Sequence, residues 1–326
     1  MAKPRIFVTR RIPEDWLTRL QEDCEVDLWD SELPPGRDEL LKHVRDKEAI
    51  LSLLTDTIDD QVMDTAGSGL KVISNCAVGV DNIDLQEAAR RGIPVGHTPG
   101  VLTDTTADFA FALLLAAGRR IVEADHFTRS GQWKTWGLTQ LLRQDLNGAT
   151  LGILGFGRIG RGVAKRALGF EMRVLFYDPS AGEDKFAHKV NARKVDLDTL
   201  LREADFISVH TPLNEETYHL IDRQAFAKMK PTAVLVNTAR GPVVNPSALY
   251  EALKSRTIRF AALDVTEPEP IPQNDPLLQL DNLIITPHIA SASVETRGKM
   301  VGIAVENLLA GLEGVQLPYC ANPDVY

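Results

Sequence analysis

Hydrophobic positions fall into two kinds of run, short continuous ones and longer ones spaced at helical intervals, and the two alternate along the chain. Continuous runs predict strands at Arg5 to Thr9, Glu25 to Leu28, Ala49 to Leu54, Lys71 to Asn75 and Ile93 to Gly96. Amphipathic stretches predict helices between them at Pro13 to Glu22, Gly36 to Val44, Asp59 to Thr65 and Asp84 to Arg91. Strands separated by helices require crossover connections, hence a parallel sheet. The run from Thr103 to about Ser130 predicts one long helix, opened by threonine and aspartate suited to a cap and first turn. Its apolar residues lie nearly all round from Phe109 to Ala117, so most of its faces are expected to be covered.

The alternation resumes past Gly148. Strands are predicted at Leu151 to Leu154, Arg173 to Asp178, Phe206 to Val209, Ala233 to Asn237, Phe260 to Leu263 and Leu283 to Ile285. Helices are predicted at Arg161 to Leu168, Asp196 to Glu203, Arg223 to Ala227, Pro246 to Leu253 and, last, Ser293 to Glu313. Two α/β units in series are therefore expected, each with a doubly wound parallel sheet.

The first strand of the second unit carries the most specific motif. Leu151-Gly152-Ile153-Leu154-Gly155-Phe156-Gly157-Arg158-Ile159-Gly160 is an apolar run ending in Gly-x-Gly-x-x-Gly. Gly155 is expected to make the turn, Gly157 to let a pyrophosphate approach the backbone, and Gly160 to let helix and strand pack closely. The helix N-terminus then faces the phosphates. Asp178 ends the next strand, where the dinucleotide fingerprint places its ribose-binding acid. A carboxylate there accepts from a 2′-hydroxyl and repels a 2′-phosphate, which predicts NADH over NADPH. Asp178-Pro179-Ser180 also fits an aspartate that simply opens a turn.

Composition narrows the picture. The chain of 326 residues suits two domains, and 44% hydrophobic with 25% charged residues is ordinary globular usage. A net charge of −9 without a basic cluster argues against nucleic acid or an anionic membrane as partner. Cys24, Cys76 and Cys320 are widely spaced, indicating neither a disulfide framework nor a metal site. The first strand begins within a few residues of Met1, so no signal peptide is expected, and apolar runs such as Ala107 to Ala117 are too short to span a bilayer. A cytoplasmic location is the expectation.

Three side chains stand out past the ends of later strands. Arg240 lies in Asn237-Thr238-Ala239-Arg240-Gly241, Glu269 in Thr266-Glu267-Pro268-Glu269-Pro270, and His288 in Thr286-Pro287-His288-Ile289. Singly they fit a surface arginine, a solvated loop acid and a structural histidine. Together they supply an anion clamp, a proton donor and an acid that orients the donor, the set needed to reduce a carbonyl beside a carboxylate.

These motifs, with Leu263-Asp264-Val265, Ala77-Val78-Gly79-Val80-Asp81-Asn82-Ile83-Asp84 and Pro287-His288-Ile289-Ala290-Ser291, resemble the signatures of D-isomer-specific 2-hydroxyacid dehydrogenases. The likeness is continuous along the chain. The run Thr98 to Asp108, with Ser130-Gly131-Gln132-Trp133 after it, is especially similar to glyoxylate and hydroxypyruvate reductases. The resemblance implies a Rossmann dinucleotide-binding domain over residues 101–292 and a flavodoxin-like substrate domain over 1–100 and 293–326, with a cleft that closes on the substrate. It implies that Arg240 binds and activates a 2-oxo acid, that His288 protonates the carbonyl oxygen, and that Glu269 orients His288 and favours its charged form. Leu54, Val78, Gly79 and Ser291 join Arg240 and His288 in the substrate set, with the N–H groups of Val78 and Gly79 holding the carboxylate. The cofactor set is Thr105, Gly155, Gly157, Arg158, Ile159, Gly160, Asp178, His210, Pro212, Thr217, Thr238 and Asp264, the last facing the nicotinamide carboxamide. A homodimer through the nucleotide domains is implied, and in the glyoxylate reductase branch a partner tryptophan reaches the site, which raises the question of Trp133 and Trp136.

Departures from relatives refine the expectation. Formate dehydrogenases of the superfamily have glutamine at the position of Glu269. Phosphoglycerate dehydrogenases often carry a C-terminal regulatory domain, and none is expected here. D-lactate dehydrogenases usually place an aromatic residue near Leu54, whereas Ser52-Leu53-Leu54-Thr55 resembles the glyoxylate reductase pattern. The human-type glyoxylate reductases lack the acid matching Asp178 and prefer NADPH. The expected activity is reduction of glyoxylate or hydroxypyruvate. Other 2-oxo acids (2-ketogluconate, phosphohydroxypyruvate, pyruvate) are the nearest alternative, and a non-catalytic NAD(H)-sensing module like the C-terminal binding protein corepressors is a further one.

Overall fold

The computed structural model describes residues 2–182 and 185–326. The chain divides into two compact units, Met1–Leu102 with Ser293–Tyr326, and Thr103–Ala292. Among the described residues no helix is long and apolar enough to cross a membrane.

In the first unit, β1 (Arg5–Val8), β2 (Glu25–Leu28), β3 (Ala49–Ser52), β4 (Val72–Asn75) and β5 (Val95–Gly96) form one sheet in the order β2-β1-β3-β4-β5, every pair parallel. Helices α1 (Glu14–Asp23), α2 (Arg37–His43), α3 (Asp60–Ala66) and α4 (Leu85–Arg90) connect them. Both sheet faces are covered, which is why the central strands are apolar throughout rather than alternating. Phe7, Ile50 and Ile73 face Leu40, Val62 and Met63, while Ile6, Val8 and Leu51 face Leu17 and Leu20. That second layer is completed by the C-terminal helix, Val294–Leu312, through Val301, Ala304, Val305 and Leu308. Gly311 brings this helix so close to β4 that a Cβ would lie 2.5 Å from Val72 Cβ. Asn307 and Asn322 tie the returning segment to Gly96-His97 and Val95 through their side-chain amides.

The second unit starts with α5 (Thr103–Gly118) and α6 (Ile121–Arg129) and continues β6 (Thr150–Leu154), α7 (Arg158–Ala167), β7 (Arg173–Tyr177), α8 (Lys185–Lys189), β8 (Ala192–Lys194), α9 (Leu197–Glu203), β9 (Phe206–Val209), α10 (Arg223–Lys228), β10 (Val234–Asn237), α11 (Pro246–Lys254), β11 (Phe260–Leu263) and β12 (Leu283–Ile285). The strand order is β12-β11-β10-β9-β6-β7-β8, all parallel. The order reverses between β6 and β9, and in open α/β sheets the crevice beyond the carboxyl ends at such a reversal binds the ligand. Residues of α5 and α7 cover one face and those of α9, α10 and α11 the other.

Two expectations are corrected, and two short elements were not predicted. The run from Thr103 to Ser130 is two helices, because Arg120 takes a left-handed backbone, φ 55°, and pairs with Glu123. The composition changes there too: α5 is largely buried, whereas α6 buries no residue. The strand predicted to reach Leu54 stops at Ser52, since the Asp56 carboxylate takes the Leu53 N–H (2.8 Å) and turns the chain. The short elements α8 and β8 carry too little apolar signal to stand out, for β8 is an edge strand reading Ala-Arg-Lys.

Candidate active site

The glycine loop is built as its spacing requires. Gly155 leaves β6 with φ 87°, and a Cβ there would sit 2.7 Å from the His210 carbonyl. A Cβ on Gly160 would lie 2.1 Å from the Gly155 carbonyl oxygen, so only glycine lets α7 start this close to β6. Gly157 differs: its backbone is ordinary, φ −73°, and nothing lies within 4 Å of a Cβ. It is the open floor of the cradle. Gly157 caps α7 without a side-chain hydrogen bond, leaving the N-terminal N–H groups beside exposed Arg158 and half-buried Ile159 as donors for a pyrophosphate.

Asp178, at the end of β7, opens the turn and also reaches back to the glycine loop. One oxygen accepts from Ser180 N–H and Oγ–H (3.0 and 2.7 Å) and Ala181 N–H (3.2 Å), opening the turn. The other accepts from Phe156 N–H (2.8 Å) inside the glycine loop, which leaves that oxygen a further lone pair for a ribose hydroxyl. Burial pushes the carboxyl pKa up, but the bonds from Ser180, Phe156 and Ala181 outweigh it and hold it below its ordinary value.

Across the reversal, His210 follows β9. Its Nε2 meets Ser208 Oγ at 2.8 Å. Three buried polar atoms near these strand ends, His210 Nδ1, Thr211 Oγ1 and Thr238 Oγ1, have no partner among the described residues. Such groups cost free energy unless something binds them, and a dinucleotide lying across the strand ends offers donors and acceptors. The crevice therefore fits the cofactor. Pro212 is exposed, and Thr217 braces its loop by donating to the Pro212 carbonyl at 2.6 Å. Thr105 lies in the first turn of α5.

Burial lowers the His210 pKa to about 3, so the imidazole is neutral. The unfolded chain takes up the proton near the ordinary histidine value and the folded chain does not, so this contribution to stability is present at neutral pH and is lost as pH falls from about 6.5 toward 3. Denaturant titrations at pH 7 and 5 should show His210→Asn losing about 2 kcal/mol less than the unsubstituted protein over that interval. Equal losses would contradict a neutral buried His210.

His288, Glu269 and Asp264 come together beyond β11 and β12. His288 Nδ1 meets Glu269 Oε1 at 2.5 Å, and Glu269 Oε2 accepts from Thr266 N–H at 3.3 Å. His288 sits in the left-handed region, φ 54°, with its N–H donating to the Asp264 carbonyl (2.9 Å) and the Thr286 carbonyl (3.0 Å). The Asp264 carboxylate, buried at the end of β11, accepts from Thr286 Oγ1 (2.6 Å), Ile289 N–H (2.9 Å) and Ala290 N–H (2.7 Å). It is the peg on which the histidine loop hangs, a structural role the sequence reading missed. Half-buried Ser291 closes this loop. After β10, Asn237 shapes the arginine turn by donating to the Arg240 carbonyl (2.8 Å) and accepting from Ala239 N–H (3.0 Å), while Arg240 Nη1 donates to the Ala239 carbonyl (2.9 Å). An asparagine ending an apolar strand just before a Thr-Ala-Arg-Gly turn is the signal that finds this role.

In the first unit, two loops are knitted together. Asn75 Nδ2 donates to the Gly79 carbonyl (3.0 Å) and to Asn82 Oδ1 (3.0 Å), and Asn82 Nδ2 donates to the carbonyls of Leu53 (3.1 Å) and Asp56 (2.9 Å). Asp56 is also bonded by Thr9 and paired with buried Arg10 (3.2 Å). This network fixes half-buried Leu54 relative to the Ala77-to-Val80 turn. The N–H groups of Val78 and Gly79 have no acceptor among the described residues, the arrangement of an anion-binding turn.

Comparison with known proteins completes the assignment. Residues 111–290 match the model of the D-isomer specific 2-hydroxyacid dehydrogenase NAD-binding domain. The whole chain resembles the glyoxylate reductase of Korarchaeum cryptofilum, 52% identical over 99% of this chain and 97% of that protein. The glyoxylate reductase of Thermofilum pendens is 51% identical over 100% of this chain and 96% of its own. Among solved structures, the TT0316 protein of Thermus thermophilus superposes with a TM-score of 0.91 at 47% identity, covering 97% of this chain and 99% of that one. A nicotinamide-dinucleotide crevice at the reversal of a parallel sheet, and relatives alike from end to end, place this chain in the D-isomer specific 2-hydroxyacid dehydrogenase family.

Proposed function

We propose that the protein reduces glyoxylate or hydroxypyruvate with NADH to a D-2-hydroxy acid, as a cytoplasmic homodimer. The observation that carries the chemistry is the His288–Glu269 contact at 2.5 Å on a loop pinned by buried Asp264. The substrate rests on the two glyoxylate reductases that match the full chain.

The bound dinucleotide supplies the hydride. Because Nδ1 of His288 is engaged by Glu269, the proton it delivers leaves from Nε2, which has no partner among the described residues. Glu269 stabilises the charged ring before transfer and holds the ring's orientation afterwards, which a lone surface histidine would lose to side-chain rotation. Arg240, on its asparagine-braced turn, grips the 2-oxo acid with a planar fork that distinguishes carboxylate from water. The turn at Val78 and Gly79 is assigned the substrate carboxylate and Leu54 the aliphatic wall, making Met1–Leu102 with Ser293–Tyr326 the substrate domain. Asp178 selects NADH by accepting a ribose hydroxyl and repelling a phosphate.

The test is NADH and NADPH oxidation with glyoxylate, hydroxypyruvate, pyruvate, phosphohydroxypyruvate and 2-ketogluconate. Glyoxylate or hydroxypyruvate should give the highest kcat/KM, with NADH favoured at least tenfold. Asp178→Ala should shrink that preference by removing the charge that repels a 2′-phosphate. Preference for NADPH in the unsubstituted protein would overturn the role of Asp178, and dinucleotide binding without turnover on any of the five would overturn the reductase.

A further inference from the structure

We propose that His219 is a positioning residue for this reaction, locking the Arg240 turn and the Glu269 loop into one register; the inference rests on the reductase reading. His219 lies between the crevice loop and α10, belongs to none of the recognised motifs, and touches both segments.

Its backbone N–H donates to the Pro242 carbonyl (2.7 Å), two residues past Arg240. Its ring Nδ1 meets Asn245 Nδ2 at 3.0 Å, and its Nε2 meets Glu267 Oε2 at 2.7 Å, two residues before Glu269. Glu267 is also reached by Tyr218 Oη (3.4 Å), whose ring stacks on His219. The two segments are already in backbone contact, since a Cβ on Gly241 would lie 1.9 Å from the Thr266 carbonyl oxygen. His219 bridges that contact from the side.

The tautomer follows from the neighbours. Asn245 caps α11 by accepting from Ala248 N–H through Oδ1 (2.9 Å), so its amide group is oriented and Nδ2 must donate toward the histidine. Nδ1 of His219 therefore accepts, the ring proton is on Nε2, and it is donated to Glu267. The histidine holds a left-handed backbone, φ 51°, a conformation a non-glycine residue keeps only where its surroundings over-determine it. Cutting the bridge frees the Glu267-to-Pro270 loop to shift against the arginine turn, and a misplacement of about 1 Å is enough to cost about a hundredfold in rate.

The test uses His219→Asn, since asparagine tolerates the left-handed backbone but is too short to reach Glu267. Expected are a kcat at least tenfold lower, a dinucleotide KM within twofold of the parent, and recovery of most of kcat in His219→Gln, whose longer amide reaches Glu267. Glu267→Ala should mimic His219→Asn, and the double variant should be no worse than either alone, because both cut one bridge. A second readout does not depend on turnover: in 15N-edited spectra the downfield Nδ1–H of His288 held by Glu269 should shift or vanish in His219→Asn. Unchanged kcat and an unchanged His288 signal, with only a lower Tm, would overturn the inference. A parent enzyme silent on every oxo acid, yet showing the His288 shift, would instead overturn the reductase reading and leave the bridge standing.

Discussion

Replacing His288 with alanine should lower kcat by about two to four orders of magnitude, the range in which a positioned general acid contributes, while the dinucleotide binds with near-normal affinity. The side chain is half-buried and packs no core, and its neighbours Ile289 and Ala290 are held by Asp264 through backbone N–H groups that alanine leaves in place. The fold should therefore survive the change at a modest cost in Tm, since alanine fits the left-handed backbone (φ 54°) less well than histidine, and a fluorescence titration with NADH alongside steady-state rates separates binding from turnover. Activity within tenfold of the parent would mean that solvent or another group supplies the proton. Glu269→Gln should fall between the two, since an amide can still hold the ring but cannot stabilise its charge.

The second large effect belongs to the glycine loop, where two neighbouring glycines should fail in different ways. Gly160→Ala forces a methyl to 2.1 Å from the Gly155 carbonyl oxygen, so α7 must move off β6. Overpacking against backbone costs about 1–3 kcal/mol, and moving the helix start withdraws its N–H groups from the phosphates, so both Tm and dinucleotide affinity should fall, the latter about a hundredfold. Gly157→Ala meets nothing within 4 Å and keeps an ordinary backbone, so its Tm should match the parent while dinucleotide affinity drops, because the methyl occupies the space the pyrophosphate needs. Thermal denaturation with NADH titration checks the pair. Unimpaired NADH binding by Gly157→Ala would show that the phosphates do not cross that glycine.

How much of this was legible depends on how local the cause is. The strands Phe206–Val209, Phe260–Leu263 and Leu283–Ile285 stand where the apolar runs place them, because a strand buried between two layers announces itself as continuous hydrophobic sequence. The break at Arg120 and the end of β3 at Ser52 did not, since one needs a left-handed residue and the other the carboxylate of Asp56. Within the site, the sequence named His288 and Glu269 but not their separation. It also placed Asp264 at a functional strand end and took its role from the family resemblance, missing the loop it holds.

Local sequence was enough to set the alternation that makes two parallel sheets, the glycines of the cradle and the chemical types of the site residues, because each follows from neighbours a few positions apart. Long-range packing alone made Asp178 serve the turn and the glycine loop at once, hung the histidine loop on Asp264, and bridged His219 to Glu267, 48 positions away. Those roles depend on hydrogen bonds between strand ends, and a short polar side chain past a strand looks the same in sequence whether it meets water, a ligand or another loop.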